Sequence, residues 1–262
     1  MIQEFGVCNL SIIPLRSEPS DKSEITSQLL FGDLFRVVEK IEKWVKIELH
    51  LDGYEGWIDN KQYCPLKWDD FELAAEATSV LDTGIYHAIT NLATGEKIFA
   101  LAGSSVPATD NNIFRITNSF YKLDTPAINP FKRNFEQEVG SVAKFYLNSP
   151  YLWGGKSLFG IDCSGFTQMV FKQFGIHLKR DAWQQAEQGE LISFLPEAEA
   201  GDLAFFDNDE GRIIHVGIML DNFRIIHASG KVRIDSIDDQ GIYNLELKRY
   251  THKLRILKRF KG

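Results

Sequence analysis

One thiol stands where a nucleophile would be built. Cys163 lies in Gly160-Ile-Asp-Cys-Ser-Gly-Phe, directly ahead of a run in which Phe166, Met169, Val170 and Phe174 share one helical face. A cysteine at a helix N-terminus faces the positive end of the dipole and backbone N–H groups that have no acceptor. Both favour thiolate over thiol, and the same N–H groups can hold an oxyanion. Cys8 and Cys64 fall in β-rich stretches without that feature and read as packing residues. A thiol nucleophile needs a general base, and histidine is the usual one. Of six histidines, His50, His87, His177 and His252 sit in polar or strand-edge contexts that suit solvated or structural roles. His215 and His227 instead interrupt apolar strands, in Ile-Ile-His-Val-Gly and Ile-Ile-His-Ala-Ser. One histidine in such a strand is ordinarily a satisfied core residue. Two of them on neighbouring strands, downstream of a helix-cap cysteine, read as a base and its orienting partner. Neither has a cysteine or carboxylate at ligand spacing, so the sequence asks for no metal and no cofactor.

These residues need a scaffold, and composition bounds it. At about 150 residues per domain, a chain of 262 suggests two domains, or a large one with an appendage. Apolar residues make up 44% and charged residues 25%, the balance of a chain that buries a sizeable core. A net charge of -7 argues against a grip on phosphate backbones, so no nucleic-acid partner is expected. No stretch approaches the length of apolar chain that a membrane helix needs, so no membrane partner is expected either. The opening residues, MIQEFGVCNLSIIPLRSEPS, carry no basic region leading into an apolar one, which reads as a cytoplasmic chain. Three cysteines set far apart suggest no disulfide framework.

Short strands with Gly punctuation fill residues 1–65, as in the period-two run Trp44-Val-Lys-Ile-Glu-Leu, and suggest a small half-open β-barrel. Residues 66–125 form a second β-rich stretch, opened by a helical segment near Asp70. Pro126 and Pro130 mark a linker into a third domain, residues 126–262. There a helix is expected behind an N-cap at Asn134, with Phe135, Val139, Val142, Ala143 and Tyr146 on one face. The helix after Cys163 follows, then strands at 202–206, 213–219, 224–228 and 253–257. Helices first and strands afterwards imply an α+β fold with an antiparallel sheet.

Six strings occur in order: Tyr151-Leu-Trp-Gly-Gly, Asp162-Cys-Ser-Gly-Phe, Leu178-Lys-Arg-Asp, Gly201-Asp-Leu-Ala-Phe-Phe, His215-Val-Gly-Ile and Ile226-His-Ala-Ser. Together they resemble the NlpC-type cell-wall cysteine peptidases, whose fold is papain-like. The weaker strand patterns before them resemble bacterial SH3-like domains, which precede the peptidase in the subgroup cleaving γ-D-glutamyl-diamino acid bonds, dipeptidyl-peptidase VI. The resemblance implies Cys163 as nucleophile, His215 as base and His227 in the third, orienting place. It implies Asp162 and Ser164 beside the nucleophile, Trp153 lining the cleft, and Asp162 helping to bind the substrate's free amine. The Tyr54 hydroxyl and the Glu24 carboxylate are its candidates for the same amine. The implied substrate is a small murein peptide, L-Ala-γ-D-Glu-diamino acid with a free N-terminal L-Ala. The family often has Ser where this chain has Ala182, which leaves the contact to the substrate carboxylate open. Arg180 and Asp181 read equally well as a structural ion pair. An acyltransferase or amidase on the same fold, or a non-catalytic wall-peptide-binding protein, are the rival readings.

Strand parity yields a geometric expectation. His215 and His227 are 12 positions apart on a presumed hairpin turning near Asp221-Asn222. A two-residue loop there would put them on opposite faces. A shared site requires an odd turn or a bulge, with Asn222 or Phe223 expected at positive φ.

Overall fold

Val45, Ile47 and Leu49 alternate with more exposed neighbours, and all three point into one core with Ile13, Leu15, Leu29, Phe35 and Ile58. In the computed structural model, which describes residues 3–76, 79–107 and 111–260, they belong to a first unit that ends at Pro130. Seven antiparallel strands build it: β1 (Phe5–Val7), β2 (Ile12–Arg16), β3 (Ile25–Leu30), β4 (Leu34–Lys40), β5 (Trp44–Leu49), β6 (Glu55–Asp59) and β7 (Cys64–Leu66). Their order is β3-β2-β6-β5-β4-β1-β7. The helix expected near Asp70 is α1 (Trp68–Glu76), and it leads into β8 (Ser79–Val80), β9 (His87–Asn91), β10 (Lys97–Ala100), β11 (Ser105–Val106), β12 (Ile113–Ile116) and β13 (Ser119–Leu123). β10-β9-β13-β12 make a four-stranded sheet, and β8 pairs with β11.

This second stretch has no core of its own. Phe71, Leu81, Ile89, Val106, Phe114 and Leu123 pack in one cluster with Phe5, Val7, Phe31 and Leu34 of the barrel. The backbone joins them too, because the Ser105 N–H donates to the Phe31 carbonyl at 2.9 Å. Gly32, at φ +82°, presses so closely on Ser105 that a Cβ would sit 1.8 Å from its carbonyl oxygen. The barrel and the second β-rich stretch thus share a hydrophobic cluster within the unit that ends at Pro130.

The second unit starts at Phe131. α2 (Phe135–Phe145) begins as the sequence indicates, with the Asn134 side chain accepting from the Gln137 N–H at 3.1 Å. Then come β14 (Lys156–Ser157), β15 (Gly160–Ile161), α3 (Cys163–Lys172) and the single-turn α4 (Ala182–Gln185). Every residue of α3 is buried, the mark of a helix enclosed on all sides. The strands follow: β16 (Glu190–Ile192), β17 (Leu203–Asp207), β18 (Ile213–Met219), β19 (Arg224–Ser229), β20 (Lys231–Asp238), β21 (Gly241–Asn244) and β22 (Arg249–Arg259). Their order is β16-β22-β17-β18-β19-β20-β21, and β21 also pairs with β22, which closes the sheet on itself. Helices ahead of an antiparallel sheet make the unit α+β.

Candidate active site

Asp162 starts α3. Its Oδ1 accepts from the Gly165 N–H at 2.7 Å, the N-cap bond that fixes where the helix begins and makes Cys163 the first helical residue. The remaining acceptor positions of Asp162 are also filled. Gly154 N–H donates to Oδ2 at 2.8 Å, and the Arg180 guanidinium binds both oxygens, at 3.1 and 2.5 Å. Arg180 donates to Ser164 Oγ as well, at 2.8 Å. Asp162 is 4% exposed and Arg180 2%. The carboxylate therefore positions the nucleophile, and an incoming ammonium would have to displace one of these donors to reach it. Asp162 thus caps the helix and holds Arg180, and Ser164 is drawn into the same network. Arg180 finds its carboxylate at Asp162, while Asp181 caps α4 and leaves Ala182 as that turn's first residue. Trp153 is 60% exposed, on the loop that the Gly154 N–H ties to Asp162.

The state of the thiol departs from the expectation. Burial and the nearby Asp162 carboxylate push Cys163 up to about 12, against N–H donation from Val216 and Ser164 and the charge of Arg180. That direction favours the thiol over the thiolate.

β18 and β19 bring the histidines to it. Their ladder pairs Gly217 with His227, Ile218 with Ile226 and Met219 with Ile225. Leu220 N–H then donates to the Arg224 carbonyl, so the turn is the three residues Asp221 to Phe223. The odd count puts His215 and His227 on one face, as parity requires. Backbone strain plays no part: neither Asn222 nor Phe223 is at positive φ. The Asp221 carboxylate shapes the turn instead, accepting from the N–H groups of Phe223 and Arg224 at 3.0 and 2.8 Å.

His215 Nε2 and His227 Nδ1 are 2.9 Å apart, and His227 Nε2 lies 3.0 Å from Asp235 Oδ2 on β20. Val216, the next residue, gives its N–H to Cys163 Sγ, and with Nε2 of His215 turned to His227 the ring nitrogen left for proton exchange is Nδ1. Burial, with His227 and His252 beside it, keeps His215 well below the usual histidine range. It is a neutral base next to a neutral acid.

Gly217 makes this meeting possible. It is directly opposite His227, and a Cβ there would fall 2.8 Å from His227 Cβ and 2.7 Å from Ile225 Cδ1. Gly217→Ala should lose about 1–3 kcal/mol by thermal unfolding. Displacing His227 by a fraction of an ångström should also lower kcat by roughly 100-fold. Wild-type kcat in this variant would show that β19 yields without moving the ring.

Three contributors escape a reading by sequence. Asp235 is one. His252, expected to be structural, stacks on His215 with centroids 4.2 Å apart and planes at 26°. Tyr151 is the third: burial and the charges of Cys163 and Asp162 raise its pKa, leaving a neutral O–H donor near the sulfur. Ring nitrogens of His215, His227 and His252 all lie within 4.8 Å of one another and are the candidate metal ligands among the described residues. Two of them already face each other in a hydrogen bond, and His252 is stacked on His215 with its Nδ1 2.9 Å from Thr251 Oγ1. The cluster suits proton relay better than coordination.

Tyr54 and Glu24 belong to the first unit. Tyr54 is half-buried against the barrel core, its N–H donating to Asp52 Oδ1 at 3.0 Å. Glu24 is exposed just before β3.

Residues 148–251 match the NlpC/P60 family, and residues 15–62 match the bacterial dipeptidyl-peptidase SH3 domain. A γ-D-glutamyl-L-lysine dipeptidyl-peptidase of Bacillus subtilis is 31% identical over 78% of this chain and 72% of its own. The chain belongs to the NlpC/P60 family. A second γ-D-glutamyl-L-lysine dipeptidyl-peptidase, from Bacillus cereus, is 25% identical over 80% of this chain and 68% of its own. A crystal structure of an NlpC/P60 family protein from Bacillus cereus superimposes with a TM-score of 0.81 at 20% identity, over 98% of this chain and 99% of that one, and shows the same fold. Family membership and these relatives make the protein a cysteine peptidase with an SH3-like domain ahead of its catalytic domain.

Proposed function

We propose that the enzyme hydrolyses the bond between γ-D-glutamate and the diamino acid in free-amine murein peptides, in the recycling of wall peptides. The observation that carries the chemistry is the hydrogen-bonded chain His215–His227–Asp235, begun on the strand whose Val216 N–H donates to Cys163 Sγ, with Nδ1 of His215 outside that chain. The substrate class rests on what the relatives are named for. Cys163, His215 and His227 are the catalytic residues of this reading. The thiol passes its proton to His215 Nδ1 as sulfur bonds to the side-chain carbonyl carbon of D-glutamate. Cys163 N–H, which has no acceptor inside the helix, and the Tyr151 O–H receive the oxyanion. As the C–N bond breaks, imidazolium His215 protonates the departing amine. Water then attacks the thioester, gives its proton to His215, and the sulfur leaves and takes that proton back. Trp153 is proposed as a wall of the cleft. Among the described residues Cys8, Cys64 and Cys163 form no disulfide, which suits a reducing compartment, and a cytoplasmic site belongs to the proposal.

The test is incubation with L-Ala-γ-D-Glu-meso-diaminopimelate and its N-acetylated form, with products read by mass spectrometry. Release of free diamino acid is the expected result. A charge-assisted contact to the free ammonium contributes about 1.5–3 kcal/mol, so acetylation should lower kcat/KM by roughly 10- to 150-fold. Equal rates on both peptides would remove the free-amine requirement. Acyl transfer to an added amine without hydrolysis would favour the transferase reading. The Tyr54 hydroxyl and the Glu24 carboxylate remain candidates for the amine contact by family resemblance. A higher KM in Tyr54→Phe, with kcat preserved, is the result that supports the first.

A further inference from the structure

The relay does not end at the third catalytic residue. His227 is 1% exposed, and Asp235 behind it is 5% exposed. Arg233 hydrogen-bonds Asp235 Oδ1 at 3.0 Å and sets its Nε 2.7 Å from Oδ2, while its outer nitrogen reaches Glu246 at 3.2 Å. Burial pushes the Asp235 carboxyl up, but the hydrogen bonds and charges of His227 and Arg233 outweigh it, and the net direction is down. Asp235 is therefore an ionised group that can only accept.

That one fact propagates. A pure acceptor at His227 Nε2 requires the proton of that neutral ring to sit on Nε2. Its Nδ1 then carries a lone pair and must accept from His215 Nε2–H across the 2.9 Å contact. His215, neutral and protonated on Nε2, is left with a lone pair on Nδ1. That is the tautomer able to take the proton of Cys163. We infer that Asp235 is a positioning residue which selects the proton-accepting tautomer of His215 by fixing that of His227. The inference rests on Cys163 and His215 being nucleophile and base, and it adds a group that touches neither.

A merely structural Asp235 would satisfy the same buried neighbours, so the test must read the tautomer. In Asp235→Asn the ionised acceptor is gone: an NH2 turned to His227 Nε2 reverses both rings and places a proton on His215 Nδ1, and it also faces Arg233 Nε, which shares Oδ2 with His227. Removing the tautomer-fixing carboxylate one ring from the nucleophile costs about 10⁴-fold, so kcat should fall roughly 10²- to 10³-fold here, with KM and the unfolding temperature near wild type. In a His227→Asn background the intervening side chain has no tautomers. Adding Asp235→Asn there should change kcat by less than about threefold. An equal loss in both backgrounds would overturn the inference. Nitrogen-15 NMR of histidine-labelled wild-type protein tests it without any variant or activity. His227 and His215 should both appear as Nε2–H tautomers, and a proton on His215 Nδ1 would refute it. The spectrum stays decisive even if the murein peptide proves not to be the substrate.

Discussion

Cys163→Ala should leave hydrolysis of the tripeptide reduced on the order of 10⁴- to 10⁶-fold, as loss of a nucleophile does elsewhere. The fold should survive, because the helix start is held by Asp162 rather than by the thiol. Cys163→Ser separates sulfur chemistry from packing: its hydroxyl fills the same space and should be nearly as inactive. Cys8→Ser and Cys64→Ser should keep wild-type turnover, since neither thiol belongs to the relay. The neutral resting pair adds a pH signature. The reacting form needs His215 unprotonated, and burial together with His227 and His252 lowers its pKa. The acid limb of kcat/KM should therefore fall below the ordinary histidine value of about 6.5. A limb at or above that value would show that burial and the neighbouring histidines do not hold His215 neutral.

Arg180→Met should be the most destabilising single change outside the apolar core. It leaves the Asp162 carboxylate buried, with two backbone donors and no counter-charge. Breaking a buried pair from one side costs about 3–5 kcal/mol, whereas replacing both partners with neutral groups can be nearly neutral. The double variant Arg180→Met with Asp162→Asn should thus recover much of the loss in urea unfolding. Its activity should recover less, since an amide caps α3 but does not gather Gly154 and Ser164 as the ion pair does. A single variant as stable as wild type would show that water or another cation replaces the guanidinium.

What could be read in the chain was whatever is local or fixed by parity. The cap at Asn134, the helix behind Cys163 and the odd turn between the histidines all follow from neighbours a few positions apart. The alternation of Lys231-Val-Arg-Ile-Asp marks β20 as a strand, yet Asp235 gains its role only from the register that sets Arg233 opposite His227. His252 reaches His215 because β22 lies one strand from β18, across β17, which no local pattern announces. The forces on the thiol are divided for a related reason. The helix dipole is visible in sequence, whereas burial and the Asp162 charge exist only once the chain has folded. Asp162 itself looked available because Arg180, 18 residues away, is not adjacent until then. The second β-rich stretch resembled a domain because alternation tells which side chains are buried and not which neighbours they are buried against.

The cluster that joins Phe5, Val7, Phe31 and Leu34 to Phe71, Leu81 and Ile89 bears on how such enzymes can be reassembled. A gene splice after Leu66 would transplant a barrel whose own inner strands end on bare apolar surface, with Gly32 pressed against nothing. The recipient would inherit an aggregation hazard along with the module. A splice near Pro130 cuts no shared core within the first unit, so recombination that passes this segment between genes should leave its scars there.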